Sequence, residues 1–227
     1  MKTLRSLKLI AAACEFWEVI VINGGDSLSE GSLDEFSFTV LCITEPDHGI
    51  YDAWNKGLRS AKGEFVAFLG AGDQVRSQYF NVFDSMLKVE DGDLLLCRQQ
   101  QWLPNGRTLR VLGKAWDWKE FQQSFSIAHI GCWHRRSLFD EFGLFDSSYK
   151  VSGDYEWLLR VGPHLTVQFS PQILLDVPVG GISDRHSLVF KETRRARATH
   201  TKASLWDLNY RDALYRIRKI TRKCLWG

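Results

Sequence analysis

Residues 45–73 read EPDHGIYDAWNKGLRSAKGEFVAFLGAGD, and this stretch of the sequence decides the fold class. Apolar side chains recur at helical spacing over residues 50–61, and Gly63 stands where that helix would end. The apolar run over residues 65–69 has the length and composition of a buried strand. It leads into the turn Gly70–Asp73, so this stretch predicts a helix, a strand and a loop that carries a carboxylate.

Two segments upstream repeat the pattern of a strand followed by a polar loop. Glu18–Ile22 is rich in β-branched residues and runs into Asn23, and Phe38–Ile43 runs into a loop that contains Asp47. Alternating strands and helices predict a Rossmann-like α/β fold with one central, mostly parallel sheet. Since the carboxyl ends of parallel strands open onto one crevice, we expect Asn23, Asp47 and Asp73 to converge there. Ordinary turn chemistry also places Asn and Asp in such loops.

The second half of the chain is less regular, and its predicted elements are shorter. Asp93–Cys97 has the pattern of a strand. Gln168–Pro171 and Ile173–Val177 are predicted as edge strands, because prolines interrupt them. A short helix is predicted over Tyr155–Val161, with Asp154 at its start.

Basic charge is concentrated towards the C-terminus. Residues 185–227 contain 12 Lys or Arg and 3 Asp or Glu, whereas the whole chain has a formal net charge of only +2. We therefore divide the chain into a domain of residues 1–184 and a basic amphipathic helical tail of residues 185–227. The tail predicts an anionic partner, and on charge alone this could be membrane phosphate, nucleic acid or diphosphate.

An apolar stripe along the tail favours a membrane surface. It recurs at helical spacing between Leu214 and Leu225, Lys and Arg flank it, and Trp226 is suited to the level of the headgroups. We expect this helix to lie on an anionic membrane, and the alternative is a helix packed on the domain with a solvated basic face. Binding to nucleic acid is the weakest interpretation, because no recognised motif for it occurs and the rest of the chain is acidic.

The cysteines and the N-terminus favour a cytoplasmic protein. There are five Cys, an odd number without a CxxC pair, which argues against a disulfide framework or a zinc knuckle. Residues 2–13 resemble a signal peptide, but Lys8 leaves too short an apolar stretch, so a helix is predicted there. No run approaches the roughly 18 apolar residues that span a membrane. The predicted location is cytoplasmic, peripheral on the inner face of the membrane.

Five segments resemble, in order, motifs of the family 2 glycosyltransferases. Glu45–Gly57 resembles the EPDxGIYDAxNKG segment of that family, and Ala61–Asp73 resembles its stretch that ends in FL.SGD. Val19–Gly25, Ser152–Arg160 and Gly180–Ser183 resemble its IVVDGG, S.DY and GGVS motifs. The order and spacing agree over most of the chain. The resemblance extends to the transferases that assemble bacterial exopolysaccharides such as colanic acid.

The resemblance implies a GT-A fold, a nucleoside-diphosphate sugar donor, a divalent cation and inversion at the anomeric carbon. Asp73 matches the family's carboxylate for Mg²⁺ or Mn²⁺, a hard cation that binds oxygen ligands and offsets charge on a leaving diphosphate. Asp154 matches the family's base, which the weakly nucleophilic acceptor hydroxyl needs. Asn23 and Asp47 match positions that contact the nucleotide. Lys56 is a candidate for a phosphate contact, although a solvated helix lysine is the simpler interpretation.

Three histidines are further candidates for the site, and Asp154 has an alternative interpretation. His129 matches a family position that faces the acceptor pocket. It is five residues from His134, so the two do not form an i, i+4 metal pair, and a partly buried structural role is the simpler interpretation of both. His186 is a candidate for a further metal ligand. For Asp154, capping of the helix that it begins is the alternative to acting as a base.

Three departures from the family pattern bear on activity. Asn23 stands where the family usually has Asp, and Gly72 stands where many members have a second Asp. The family's first strand, whose Thr and Asn line the nucleotide, would precede residue 1. The resemblance therefore implies either a misplaced start or a degenerate copy, and we expect the chain as written to bind its nucleotide poorly.

Two functions are compatible with these observations. The leading hypothesis is an inverting transferase that moves one sugar from a nucleotide-sugar to a lipid-linked or growing saccharide. The alternative is a catalytically impaired relative that binds a membrane or a protein partner. The missing strand and Asn23 favour the alternative, whereas the presence of both Asp73 and Asp154 favours the enzyme.

Overall fold

The fold is seen in a computed structural model, which describes residues 1–10, 17–25, 33, 35–36, 38, 40–181, 188–204 and 206–210. The helices are α1 (Lys2–Ile10), α2 (Ile50–Ser60), α3 (Tyr79–Val89), α4 (Trp118–Phe121), α5 (Ser137–Phe142), α6 (Gly153–Val161) and α7 (Val189–His200). The strands are β1 (Val19–Asn23), β2 (Val40–Thr44), β3 (Phe65–Val66), β4 (Gln74–Val75), β5 (Leu94–Trp102), β6 (Thr108–Leu112), β7 (Trp133–Arg135) and β8 (Val167–Pro178). Over this part of the chain, no helix has the length and apolar character needed to cross a bilayer.

The strands form two sheets. β1 and β2 pair in parallel, with Asn23 opposite Thr44 at the carboxyl end. The six-stranded sheet has the order β3-β7-β5-β8-β4, and β6 pairs with β5. The predicted α/β class is confirmed, but the larger sheet is mixed: only β5–β8 is parallel, and its other four pairs are antiparallel. Parallel neighbours need a crossover connection, usually a helix, whereas β6 follows β5 directly and pairs with it as an antiparallel strand. β7 is also antiparallel to β5, so the sheet is mixed.

Strand β8 corrects part of the prediction of two edge strands. It is one continuous strand, and its second half pairs with both β5 and β4, whereas residues 167–169 pair with β5 and not with β4. Pro171 is tolerated because the register against β5 shifts there: Leu96 is opposite Phe169, whereas Arg98 is opposite Ile173. The additional residues of β8 form a bulge at this point. Pro171 is therefore outside the regular hydrogen bonding between β8 and β5, and its missing N–H removes no hydrogen bond from that pairing.

Strand β5 separates two hydrophobic cores. Leu94 and Leu96 belong to the larger core, and Leu95 and Cys97 belong to the second, because alternate side chains of a strand point to opposite faces. All four are buried. The larger core also contains side chains of α2, α5, α6 and α7, and the second core contains those of α1 and α3.

Part of the predicted basic tail packs into the domain. Ala196 of α7 has no exposed surface and belongs to the larger core, and Glu192 and Arg197 of the same helix are buried. Residues 206–210 are also helical. The predicted membrane helix up to Trp226 lies outside the described residues, and so does His186.

Candidate functional site

Helix α6 places Asp154 at the border of the larger core. The helix begins at Gly153, and Ser152 is its N-cap. Asp154 therefore lies in the first turn, whereas the capping alternative required it at the N-cap. Asp154 Oδ1 accepts a hydrogen bond of 2.9 Å from the N–H of Tyr155, near the helix N-terminus that favours negative charge. Most α6 side chains are buried, which fixes the position of the carboxylate.

Tyr51 of α2 holds one oxygen of this carboxylate. Its hydroxyl donates a hydrogen bond of 2.9 Å to Asp154 Oδ1, and the residue is 3% exposed. A Cβ on Gly153 would lie 2.8 Å from the Tyr51 ring, so glycine permits this approach. Burial raises the pKa of Asp154 to about 6, and the hydrogen bond from Tyr51 opposes that rise. The carboxylate therefore titrates close to neutral pH, where a general base is most effective.

His129 faces the second oxygen of the same carboxylate. Its Nδ1 lies 3.7 Å from Asp154 Oδ2, which is too far for a hydrogen bond. Burial lowers the pKa of His129 to about 3, so the ring is neutral at physiological pH. Neither ring nitrogen has a hydrogen-bond partner in the part of the chain that the structure describes. An unpaired buried imidazole is costly, and a hydroxyl that bridges Nδ1 and Asp154 Oδ2 from the side would relieve that cost.

His134 lies behind His129 and is a core residue. It is fully buried, its ring centroid lies 4.8 Å from that of His129, and its Nδ1 lies 3.1 Å from the carbonyl oxygen of Cys132. Burial lowers its pKa well below the usual range. Both histidines are thus buried, whereas the sequence-based interpretation expected them to be only partly buried.

Asp73 lies in the turn between β3 and β4 and is 6% exposed. Its Oδ2 accepts a hydrogen bond of 2.6 Å from the N–H of Gly70, and burial raises its pKa to about 6. Thr3 of α1 braces the turn, because its hydroxyl donates to the Gly70 carbonyl and accepts from the Gly72 N–H, both at 3.0 Å. Gly72 has a φ of 108°, so a second Asp at this position would be strained.

Asn23 and Asp47 lie together at the carboxyl end of the two-stranded sheet. The Asn23 carbonyl accepts the N–H of Glu45 at 3.1 Å, which joins the loops that follow β1 and β2. Asp47 packs on Gly24, where a Cβ would lie only 1.7 Å from Asp47 Oδ2. Its Oδ1 accepts the N–H of Gly49 at 2.9 Å, just before α2.

Lys56 is held by the loop that precedes its own helix. Its Nζ donates to the Pro46 carbonyl at 2.6 Å and lies 3.2 Å from Glu45 and 3.5 Å from Asp52. The side chain is 16% exposed, which is more enclosed than a solvated helix lysine. It therefore braces the loop that carries Asp47, and the carboxylates of Glu45 and Asp52 balance its positive charge.

Glu192 of α7 holds the segment that leads into α6. Its carboxylate accepts the N–H groups of three consecutive residues, Lys150, Val151 and Ser152, at 2.8, 2.8 and 2.9 Å. Sequence reasoning missed both Glu192 and Tyr51, because at least 40 residues separate each from the groups that it holds. The signal for Tyr51 was its place in the GIYDA segment, and no motif marked Glu192.

By their contacts, the predicted site residues fall into three groups. The first is Asp154 with His129, and the second is Asn23 with Asp47 and Lys56. The third is Asp73 alone, in the turn that α1 braces. A family model described as "Glycosyl transferase family 2" matches residues 2–136. The chain belongs to glycosyltransferase family 2. Two of the three groups lie inside the matched segment, whereas Asp154 and Glu192 lie beyond it.

The curated relatives of this family 2 glycosyltransferase include two mycobacterial proteins. The "PGL/p-HBAD biosynthesis glycosyltransferase" of Mycobacterium bovis (strain BCG / Pasteur 1173P2) is 25% identical over 196 residues, which cover 79% of this chain and 72% of that protein. The protein of the same name from Mycobacterium tuberculosis (strain ATCC 25177 / H37Ra) has the same identity and coverage.

Solved structures with a similar fold include the S. aureus protein TarS. The fragment TarS 1–349 has a TM-score of 0.65 and 15% identity, and the match covers 92% of this chain and 63% of that one. The same fragment in complex with UDP-GlcNAc has a TM-score of 0.64 and 15% identity, with 92% and 64% coverage. This family 2 glycosyltransferase therefore has a GT-A fold, and it spans less than two thirds of the TarS fragment.

Proposed function

We propose that the protein transfers a sugar from a nucleoside-diphosphate sugar to a saccharide hydroxyl, with inversion at the anomeric carbon. The observation that carries this proposal is the Asp154 carboxylate, whose pKa burial raises to about 6 and whose Oδ1 is held by Tyr51. Membership of family 2 supports glycosyl transfer. The complex of the TarS fragment with UDP-GlcNAc supports a nucleotide-sugar as the donor.

Asp154 acts as the general base in this proposal. Its Oδ2 accepts the proton of the acceptor hydroxyl while the acceptor oxygen forms a bond to the anomeric carbon. The bond from that carbon to the diphosphate breaks on the opposite face, and the electron pair leaves with the diphosphate. The acceptor hydroxyl is proposed to lie beside Asp154 Oδ2 and to bridge to His129 Nδ1, 3.7 Å from that oxygen, since the neutral His129 would gain a hydrogen bond.

The donor is proposed to contact the remaining candidate residues. Asn23 and Asp47 bind the nucleotide, and Lys56 lends positive charge to the phosphate side. Asp73 is the proposed ligand of Mg²⁺ or Mn²⁺, which would offset the charge on the leaving diphosphate. A single carboxylate fits, because Mg²⁺ commonly takes one or two carboxylates and its other oxygens from substrate phosphates. The described residues contain no group of three His, Cys, Asp or Glu that could hold a metal without the substrate.

The acceptor is proposed to be a lipid-linked or growing saccharide that is reached at a membrane surface. Trp206 and Tyr210 are 74% and 50% exposed and stack with ring centroids 5.4 Å apart. Exposed aromatic rings beside a basic segment suit the interface between lipid and water. This arrangement favours a protein that is peripheral on the inner face of the membrane.

Donor hydrolysis and transfer by the purified chain test the proposal, with a panel of uridine- and guanosine-diphosphate sugars. We expect Asp154→Asn to lower kcat by a factor of about 10²–10⁴, because the amide cannot accept the proton. Asp73→Ala should abolish the metal-dependent part of donor binding in calorimetry. Asp84→Asn, on the exposed face of α3, is the matched control. Retained turnover in Asp154→Asn, or equal nucleotide affinity with and without metal, would contradict these assignments.

A catalytically impaired relative is the second candidate, and Asn23 is the residue that favours it. In that case the unaltered chain would neither hydrolyse nor transfer any donor of the panel. It would still sediment with vesicles or bind a partner. Turnover of even one donor, lost in Asp154→Asn, excludes this candidate.

A further inference from the structure

Glu192 is a buried charged residue that the proposed chemistry does not use. It lies on α7, is 7% exposed, and is outside the segment that matches the family model. Burying a carboxylate costs free energy unless its oxygens are hydrogen-bonded. The Glu192 carboxylate meets this condition because it accepts hydrogen bonds from backbone N–H groups, and the location of these groups indicates what Glu192 does.

The donors lie immediately before the proposed base. Glu192 Oε1 accepts from Lys150, and Oε2 accepts from Val151 and Ser152. Ser152 is the N-cap of α6, and Asp154 follows two residues later. Because three successive peptide groups are fixed by one side chain, α7 determines the direction from which Asp154 leaves the backbone.

The same segment is also tied to α2. Lys150 Nζ donates to the His48 carbonyl at 2.8 Å, and His48 lies just before the helix that carries Tyr51. Residues 150–152 are therefore held by Glu192 of α7 and, through Lys150, by the loop before α2. α2 in turn contacts Asp154 through the Tyr51 hydroxyl.

Among the described residues, three ionisable groups from the elements packed around Asp154 contact its carboxylate or act on it through their charge. These are Tyr51 of α2, His129 of the loop before β7, and Glu192 of α7. His129 is neutral, the hydrogen bond from Tyr51 lowers the pKa of Asp154, and the negative charge of Glu192 raises it. Removal of the Glu192 charge should therefore lower the pKa of Asp154.

We propose that Glu192 is a positioning residue for glycosyl transfer, which holds residues 150–152 so that Asp154 is directed at the acceptor hydroxyl. The inference rests on the proposed function, since it requires Asp154 to be the base. A misplacement of the base by about 1 Å costs up to about 100-fold in rate, and the backbone hydrogen bonds of Glu192 prevent such a shift.

Two variants separate positioning from charge. Glu192→Asp keeps the charge but withdraws the carboxylate from its donors, and we expect kcat to fall between about 10- and 100-fold with the KM of the donor unchanged. Glu192→Gln keeps the length and loses the charge, so kcat should fall and the acid limb of the pH–rate profile should also move to lower pH. Both are measured well below the melting temperature of each variant.

Asp93→Asn is the matched control for lost backbone bracing. The Asp93 side chain accepts the N–H of Thr166 at 2.9 Å and lies 3.3 Å from Arg135 Nε, just before β5 and outside α6. We expect this variant to melt at a lower temperature with kcat and the acid limb unchanged.

The outcomes distinguish this inference from the proposed function. If Asp154→Asn retains activity, the base assignment itself fails. If Asp154→Asn is inactive while both Glu192 variants match Asp93→Asn in kcat and acid limb, Glu192 is only structural and the inference is overturned. If Glu192→Gln does not fold, Glu192→Asp decides, because unchanged kcat in that variant contradicts positioning and a selective loss of kcat supports it.

Discussion

The side chain of Asp154 combines burial with a hydrogen bond from Tyr51, and these act in opposite directions on its pKa. Burial dominates and raises the pKa to about 6, above the ordinary value of 3.8. The folded protein therefore binds this proton more tightly than the unfolded chain does. The resulting stabilisation is fully present below the unfolded pKa and is lost as the pH rises through about 6. An ionised Asp154 thus lowers stability at the pH at which a base is useful.

Replacement of Tyr51 by Phe tests this balance. Tyr51→Phe removes a hydrogen bond that lowers the pKa of Asp154, so the acid limb of kcat/KM should move to higher pH. Activity should then fall more at pH 6 than at pH 8, as pH–rate profiles would reveal. Tyr79→Phe is the control, because it removes a buried hydroxyl that donates to the Gly131 carbonyl at 2.6 Å in the second core. An acid limb that stays in place in Tyr51→Phe contradicts this account.

The resemblance to a family located Asp154 and His129, but it could not predict what surrounds them. Asp154 and Tyr51 are 103 positions apart, and their contact depends on how α2 packs on α6. Within the described part of the chain, the two ring nitrogens of His129 have no hydrogen-bond partner, which no sequence motif indicates. Glu192 was hidden for a further reason, since its partners are backbone groups and no side-chain pattern records them.

Among the elements, helices followed the sequence pattern more closely than strands did. The helix predicted over residues 50–61 is α2, which ends at Ser60. The strand predicted over residues 65–69 pairs with β7 only at Phe65 and Val66, because the Phe68 side chain packs into the larger core and its carbonyl accepts from Gly131. A helix is set by its own periodicity, whereas a strand is set by partners that are distant in sequence.

Two glycines, Gly153 at the contact of α6 with α2 and Gly57 at the contact of α2 with β1, predict opposite effects of alanine. In Gly153→Ala the added Cβ would lie 2.8 Å from the Tyr51 ring, so we expect a loss of about 1–3 kcal/mol in the free energy of unfolding, with reduced kcat. In Gly57→Ala the Cβ would be in ordinary contact with Ile22 at 3.7 Å. That variant should gain up to about 1 kcal/mol, because alanine favours a helix interior. Denaturant unfolding measures both, and an unchanged stability of Gly153→Ala would contradict the tight contact.

At the scale of the whole molecule, the α/β class was predictable and the order of the strands was not. Alternation of strands and helices in the first third of the chain predicts the class. The second half of β8 pairs with both β5 and β4 beyond the bulge at Pro171, whereas a proline read locally predicts an edge. Charge distribution gave a tail of residues 185–227, yet Ala196 of α7 packs in the larger core. Net charge describes the surface of a segment and does not determine where its apolar side packs.

The distribution of charge also predicts how the molecule meets a membrane. Residues 205–227 contain 6 Lys or Arg and 2 Asp or Glu, and the exposed pair of Trp206 and Tyr210 lies at the start of this stretch. Each basic residue near an anionic surface contributes about 1 kcal/mol, and this attraction weakens with salt. Aromatic rings add burial at the headgroup level, which depends little on salt.

Vesicle sedimentation separates these two contributions. At low salt the full chain should sediment with anionic vesicles and remain in solution with neutral ones, whereas a chain that ends at Ser204 should remain in solution with both. Replacement of both Trp206 and Tyr210 by Ser should weaken binding to anionic vesicles most clearly at high salt, where the charge term is screened. The shorter chain keeps the Glu192 contacts, but it loses the buried Leu208 and Asp207, which pairs with the buried Arg197 of α7. Its melting temperature and donor hydrolysis are therefore measured alongside, to show that it is folded. Equal sedimentation of the full and shortened chains on anionic vesicles would contradict a membrane role for this segment, because the charge and both rings are then absent without effect.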